Sequence, residues 1–220
     1  MSDNDFDLSA GPALVASTGA VIGADKGGLL YLVSAAAMKQ SAAPGAAAIG
    51  THQLSSGSIF NLAVWNQPHG ALIYLQGTRD SLKCFRLTGD SVDETPVSSA
   101  TDTQTYSRLG LTLSAAGTSL DSGILWQTTG NFNDPTSPGV LHAYKASDLS
   151  VELWNSSMNA EQDQMGAISK FTSPTVANGR VFVPTFSNEL DVYGLFTPDE
   201  VPAPAPSRPG RRGGVRGVIR

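Results

Sequence analysis

Cysteine is almost absent from this chain of 220 residues, which carries only Cys84. A single thiol excludes an intramolecular disulfide, a CxxCH haem attachment site and a four-cysteine zinc site. No apolar run reaches the roughly 18 residues that a membrane-spanning helix requires, so we expect no membrane span. The acidic stretch MSDNDFDLSAG also lacks the basic start and the apolar stretch of a secretory signal.

Charge is scarce as well, since only 15% of the residues are Asp, Glu, Lys or Arg, and the formal net charge is -5. The charge is unevenly spread, because residues 197–220 hold five arginines against Asp199 and Glu200. That segment is rich in proline and has no hydrophobic period, which predicts a disordered Pro/Arg-rich tail. The remainder is strongly acidic, so we expect no nucleic-acid partner for the folded part.

What the sequence does contain is a repeated pair of apolar strands. Residues 178–195, NGRVFVPTFSNELDVYGL, predict a hairpin, and the same pattern starts again at Thr18, His69 and Asp121. A glycine precedes each hairpin, and the pattern places these glycines in tight turns with a positive backbone angle. In the second strand of each hairpin one leucine recurs at spacings of 53, 59 and 49 residues: Leu29, Leu82, Leu141 and Leu190.

A further apolar strand precedes each hairpin, and SVELWNSS from Ser150 adds a fourth strand to the third unit. Three or four short antiparallel strands that recur at about 50 residues are typical of propeller blades. The sequence therefore predicts an all-β fold, a partial β-propeller of about four blades, with repeats at roughly 5–35, 59–88, 109–157 and 168–196. Helix is expected at most briefly, after Ser34.

The segments FTSPTVANGRVFVPT, PGVLHAYKASDLSVELWNSS and DFDLSAGPALV resemble the C-terminal half of bacterial propellers with pyrroloquinoline-quinone-like repeats. The resemblance covers roughly residues 5–195 and implies seven or eight blades in a complete protein. It therefore implies that N-terminal blades are missing from this chain, or that the reading frame is truncated. A self-contained ring of four blades is the alternative.

Candidate ligand-binding side chains are concentrated in the longest hairpin loop, GNFNDPTSPG, which contains Asn131, Asn133 and Asp134. Grouped oxygen ligands on a loop suit calcium or a polar ligand, although the same residues also build ordinary turns. The three histidines share no metal-ligand spacing, and no order of residues suggests a catalytic triad. We therefore assign no catalytic, cofactor-binding or metal-binding residue.

The resemblance also implies that a tryptophan late in each blade docks against the next blade. Trp154 occupies that position, and we interpret Trp65 and Trp126 as packing residues of the same kind. If the Trp154 ring is buried, its replacement by alanine should cost about 3–5 kcal/mol. When the four repeats are aligned, Cys84 takes the position that small or apolar residues occupy in the other three, which predicts a buried thiol.

These observations favour a non-catalytic binding or scaffold module that holds a protein or polysaccharide partner through its blade loops. The resemblance suggests a periplasmic or extracellular parent protein. One alternative is the remnant of a quinone- and calcium-dependent dehydrogenase, and only that alternative calls for pyrroloquinoline quinone and calcium as cofactors. A truncated reading frame without independent activity is the other.

Overall fold

The computed structural model describes residues 7–40, 47–106 and 108–195, together with the backbone of residues 214–216. The described residues form four sheets of four strands each, and each strand pairs with its neighbours in chain order. Two short helices, α1 (Ala35–Gln40) and α2 (Ala160–Asp163), lie between strands. The predicted all-β propeller architecture is confirmed.

Each sheet is one blade. Blade 1 contains β1 (Leu8–Val15), β2 (Ala20–Asp25), β3 (Leu29–Ser34) and β4 (Ala48–Gln53). Blade 2 contains β5 (Ile59–Gln67), β6 (Gly70–Gly77), β7 (Asp80–Thr88) and β8 (Ser91–Gln104). Blade 3 contains β9 (Leu111–Ser114), β10 (Ile124–Thr129), β11 (Val140–Lys145) and β12 (Glu152–Asn155). Blade 4 contains β13 (Thr175–Ala177), β14 (Arg180–Pro184), β15 (Glu189–Gly194) and β16 (Gly214–Arg216).

The first two blades are longer than the repeats predicted at 5–35 and 59–88, because each has an outer strand, β4 and β8. These strands are polar, and β8 buries only Val92 and Ala100 along its length. A strand that covers the outer rim of a blade needs few apolar residues, which is why the hydrophobic pattern missed both.

Most of the predicted disordered tail, residues 197–220, lies outside the described residues. The exception is β16, which pairs in parallel with β15 and completes the fourth sheet. For those residues the structure departs from the prediction, and for the others disorder stays a prediction.

Three hydrophobic clusters hold the blades together. The first joins blades 1 and 2 around Ile22, Leu32 and Ile73. The second joins blades 2 and 3, and the third joins blades 3 and 4. Among the described residues no cluster joins blade 4 to blade 1. The four blades therefore form an open arc and not the closed four-bladed ring that was the alternative.

Burial in the end blades shows the same arrangement. Strand β6 of blade 2 is buried at every position, because a blade covers each of its faces. In blade 1, Ile22 is buried whereas its neighbour Val21 is partly exposed. In blade 4, Val181 is buried whereas Phe182 is partly exposed. Ile22 packs towards blade 2 and Val181 packs towards blade 3, so among the described residues each end blade has one uncovered face that points away from the arc.

Two of the glycines before the hairpins are needed for different reasons. Gly70 has a φ of 149°, and a Cβ atom there would collide with the Leu87 carbonyl oxygen. Gly123 does not have the positive φ that the sequence pattern predicted for it. A Cβ atom on Gly123 would instead collide with the indole ring of Trp65, so this glycine makes room for the ring between blades 2 and 3.

Candidate binding surface at the loop edge

Successive strands of a blade run in opposite directions, so the connections alternate between two edges of the arc. One edge carries the turn between the second and third strand of each blade and the connections from one blade to the next. We call this side the loop edge, and the opposite side the turn edge. The loop edge carries two long connections, residues 130–139 and 156–174. Long loops on a rigid scaffold are where binding residues are usually found.

Two cations and three aromatic rings from four separate segments of the chain meet at the loop edge. The guanidinium carbon of Arg108 lies 4.9 Å from the ring centre of Phe60, 5.7 Å from that of Phe132 and 5.9 Å from that of Phe171. The ammonium nitrogen of Lys170 lies 5.9 Å from the ring centres of both Phe132 and Phe171. We call these five residues the Arg108–Lys170 cluster. Its members come from the blade 2 entry strand, a hairpin loop of blade 3 and two connections between blades.

Hydrogen bonds and close packing fix the two connections that carry the cations. The amide of Phe171 donates a hydrogen bond to the Arg108 carbonyl oxygen at 2.9 Å. Asn61 next to Phe60 donates its side-chain amide to Ser173 Oγ at 2.8 Å. Gly110 packs so closely on the second connection that a Cβ atom would collide with Thr172 and Ser173. The cluster therefore sits on a tightly held platform.

Phe171 has an unusual backbone conformation, with a φ of 63°. A positive φ is costly for a bulky residue, and such strain is most often retained where it holds a side chain for function. The Phe171 side chain is 60% exposed, so burial of its ring does not offset this cost. The strained backbone holds an aromatic ring in solvent beside both cations.

Neither cation of the cluster has a carboxylate within ion-pair distance among residues 7–40, 47–106 and 108–195. The lysines that do form ion pairs are elsewhere, for example Lys26 with Asp7 at 2.9 Å and Lys83 with Asp80 at 2.7 Å. The aromatic faces attract the positive charges but leave their N–H groups available. The cluster is thus a small positive, partly apolar site on an acidic protein.

The loop residues that the sequence singled out lie at the same edge, and their side chains serve the local turn. Asn131 Oδ1 accepts a hydrogen bond from the Asn133 amide at 3.0 Å. Asp134 Oδ1 accepts from the amide and the hydroxyl of Thr136, which lowers the pKa of Asp134 below its ordinary value. The ligand role of these three residues stays a prediction. The same loop also contributes Phe132, which no sequence pattern singled out.

A chain of hydrogen bonds inside blade 3 was also missed. Thr129 Oγ1 lies 2.8 Å from His142 Nε2, and His142 Nδ1 lies 2.6 Å from Glu152 Oε1. The order hydroxyl, imidazole, carboxylate resembles a catalytic triad. However, Thr129 is 5% exposed and His142 is 9% exposed, so a substrate has little access to the hydroxyl. This series of hydrogen bonds runs across three adjacent strands and stabilises the polar interior of the sheet.

An acidic cavity of about 260 Å³ lies between α2 and β15, where Asp163, Asp191 and Tyr193 line it. Asp163 is 5% exposed, and its Oδ1 accepts no hydrogen bond from any described residue. Burial raises the pKa of Asp163 above its ordinary value. Asp191 Oδ2 accepts the Gly166 amide at 2.8 Å. No group of three or more His, Cys, Asp or Glu side chains suited to a metal occurs in the described part of the chain.

We expect Asp163→Asn to raise stability at neutral pH, on the order of 1 kcal/mol, because it removes a buried charge whose Oδ1 accepts no hydrogen bond from the described residues. The folded protein holds the Asp163 proton more tightly than the unfolded chain, so the wild type loses stability as the pH rises from about 4, the ordinary pKa of Asp. The gain from the substitution should therefore disappear at lower pH. Urea unfolding at a series of pH values measures it.

Asp148→Asn is the matched control for that substitution. The Ser150 hydroxyl and amide lower the pKa of Asp148, so this carboxylate stabilises the fold above the ordinary pKa, and its loss should lower stability at neutral pH. A loss of stability for Asp163→Asn at pH 7 would contradict the assignment of an uncompensated charge.

All three tryptophans lie between blades. Trp65 is 3% exposed and belongs to the cluster between blades 2 and 3, where its Nε1 donates to the Gly117 carbonyl at 2.9 Å. Trp126 faces blade 4 and donates to Ser114 Oγ at 2.9 Å. Trp154 also contacts blade 4, with its ring 5.6 Å from that of Tyr193, but the side chain is only half-buried. Cys84 is buried, as predicted.

The fold and the loop edge together define a class, an open arc of β-propeller blades with a small cationic and aromatic surface at one edge. No protein-family model and no curated protein matches the chain. It is similar in structure to the crystal structure of BamB from Moraxella catarrhalis, with 12% sequence identity and a TM-score of 0.48. That match covers 85% of this chain and 53% of BamB, so the chain spans about half the length of that protein. Among the described residues no helix is long and apolar enough to cross a membrane.

Proposed function

We propose that the chain is a non-catalytic scaffold module that binds a protein partner at its loop edge. The observation that carries this proposal is the Arg108–Lys170 cluster, in which side chains from four separate segments of the chain meet on a tightly held platform. A rigid set of blades that presents the exposed Phe171 ring beside two cations with no ion pair among the described residues suits recognition by contact, since aromatic residues and arginine dominate binding at protein interfaces.

A second contact surface is proposed at one end of the arc. The uncovered face of blade 1 forms a shallow apolar surface that includes Leu8, Val21 and Val33, and Leu8 is 68% exposed. An apolar sheet face of this kind is a candidate contact surface. We propose that further propeller blades, the N-terminal blades that the resemblance implies, pack against it.

Site-specific photo-cross-linking in cells that produce the protein tests the partner proposal. A photoreactive amino acid replaces Asn133 at the loop edge, and in the matched control it replaces Asp90, an exposed residue in a turn-edge hairpin. We expect one discrete cross-linked protein from position 133 and none from position 90. Equal products from both positions, or no product from position 133, would overturn the proposal.

The dehydrogenase alternative makes a different prediction for the purified protein. Pyrroloquinoline quinone with calcium should leave the melting temperature of a binding scaffold unchanged, whereas a specific cofactor site would raise it in proportion to ligand concentration. A saturable rise would favour the dehydrogenase interpretation over the scaffold.

A further inference from the structure

The Arg108–Lys170 cluster has hydrogen-bond donors to spare. A guanidinium carries five N–H donors and an ammonium carries three. Among the described residues, neither the Arg108 guanidinium nor the Lys170 ammonium donates a hydrogen bond or forms an ion pair; both instead lie over aromatic rings. Because Arg108 contacts three rings, its guanidinium is held in place before any anion arrives. A held guanidinium loses little freedom when it binds an anion.

The Arg108–Lys170 cluster suits a small anion and not an extended polyanion. The chain carries 19 acidic residues and a net charge of -5, so an extended polyanion such as a nucleic acid or an anionic membrane is repelled by the protein as a whole. Binding of a polyanion also relies on many cations, and this cluster has two. A carboxylate, by contrast, matches the guanidinium fork with two parallel hydrogen bonds.

The phenylalanine rings of the cluster indicate which kind of side chain should lie next to the bound carboxylate. Phe171 is 60% exposed, and neither it nor Phe132 has a polar group that could bind a sugar hydroxyl. A phenylalanine ring packs well against another aromatic or aliphatic side chain. An acidic residue next to an apolar one in a polypeptide supplies both chemistries within a short segment.

We propose, building on the proposed scaffold function, that the Arg108–Lys170 cluster binds an acidic peptide segment of the partner protein. A Glu or Asp carboxylate of the segment accepts hydrogen bonds from Arg108, and Lys170 contributes further attraction. An apolar side chain beside that carboxylate packs on Phe171. The strained backbone at Phe171 positions its ring for this contact.

Fluorescence anisotropy with the labelled peptide acetyl-Gly-Phe-Glu-Glu-Phe-Gly-amide tests the proposal on the full chain. We expect saturable binding that Arg108→Gln weakens about tenfold and Lys170→Gln about threefold, since a charge-assisted hydrogen bond contributes roughly that much. Lys39→Gln on α1 removes the same charge elsewhere and should leave the affinity unchanged. The peptide with Gln in place of Glu should bind at least about tenfold more weakly.

Phe171→Gly separates a binding role from a structural one. Glycine adopts a φ of 63° without strain, so the substitution should preserve or raise the melting temperature. It should nevertheless weaken peptide binding about threefold or more, because the ring is lost. Unchanged affinity in Phe171→Gly would contradict the role given to the ring.

Other outcomes overturn the proposal directly. These are absence of saturable binding, equal weakening by Lys39→Gln, and tighter Arg108-dependent binding of oligogalacturonate, which would indicate a polysaccharide. The photo-cross-linking experiment distinguishes a failure of the proposed scaffold function from a failure of the acidic-peptide site. If a discrete partner cross-links at position 133 while Arg108→Gln leaves its yield and the peptide affinity unchanged, the scaffold function stands and the acidic-peptide site is wrong.

Discussion

Trp65→Ala is expected to lower the free energy of unfolding by about 3–5 kcal/mol, a large share of the stability of an ordinary domain. The ring is 3% exposed and fills the space between blades 2 and 3, so its removal leaves a cavity that the rigid sheets cannot close. The indole hydrogen bond to the Gly117 carbonyl is lost as well. Urea unfolding followed by circular dichroism measures the change.

Trp154→Ala provides the comparison, because its ring also lies between blades but is half-exposed. The sequence assigned a loss of 3–5 kcal/mol to Trp154 on the condition of burial, and the structure meets that condition at Trp65 instead. We expect about 1–2 kcal/mol for Trp154→Ala, in keeping with partial burial of apolar area. A larger loss at Trp154 than at Trp65 would contradict this ranking.

Gly123 adds a second test of the same interface. A Cβ atom at this position would collide with the Trp65 ring, so Gly123→Ala should destabilise the wild type. In the Trp65→Ala background the collision disappears, and most of the cost of Gly123→Ala should disappear with it. Additive effects in this double-mutant cycle would show that the two positions do not interact.

The repeat was predictable because the inner three strands of each blade are apolar and recur at a similar spacing, although in blade 1 the buried leucine is Leu30 and not the predicted Leu29. Equivalent positions in the repeats nevertheless differ in how deeply their side chains are buried. Leu82 and Leu141 are buried in the inner blades, whereas Leu190 of blade 4 is 37% exposed. The same residue in the same strand differs because a blade at the end of the arc has no neighbour on one side. Sequence gives the strand, and position in the arc decides which face is covered.

The Arg108–Lys170 cluster was not predictable in the same way. Phe60, Arg108, Phe132 and Lys170 are far apart in sequence, and all but Phe60, which lies near the start of β5, lie in connections that carry no periodic pattern. Only the composition of the 130–139 loop marked the correct edge, and it drew attention to Asn and Asp side chains whose oxygens hold the local turn. Convergence of this kind depends on the alternation of strand direction across several blades, which composition does not encode.

The largest effect is expected when a charge is placed on the covered face of blade 1. Ile22 is 1% exposed and belongs to the cluster shared with blade 2. Ile22→Lys buries an ammonium without a partner and should cost about 4 kcal/mol or more, enough to unfold much of the protein. Val21→Lys differs by one residue and places the same charge on the uncovered face, where the long side chain can reach water.

We expect Val21→Lys to change stability by less than about 1 kcal/mol, as surface substitutions usually do. The two substitutions differ in stability loss because adjacent residues of a strand point to opposite faces of the sheet. The difference is large only where one of those faces is uncovered. In blade 2 the contrast should vanish, because Leu72 and Ile73 of β6 are both buried and each substitution by Lys should be severe. Comparable damage from Val21→Lys and Ile22→Lys in this chain would mean that another surface already covers blade 1, and that the arc is closed in solution.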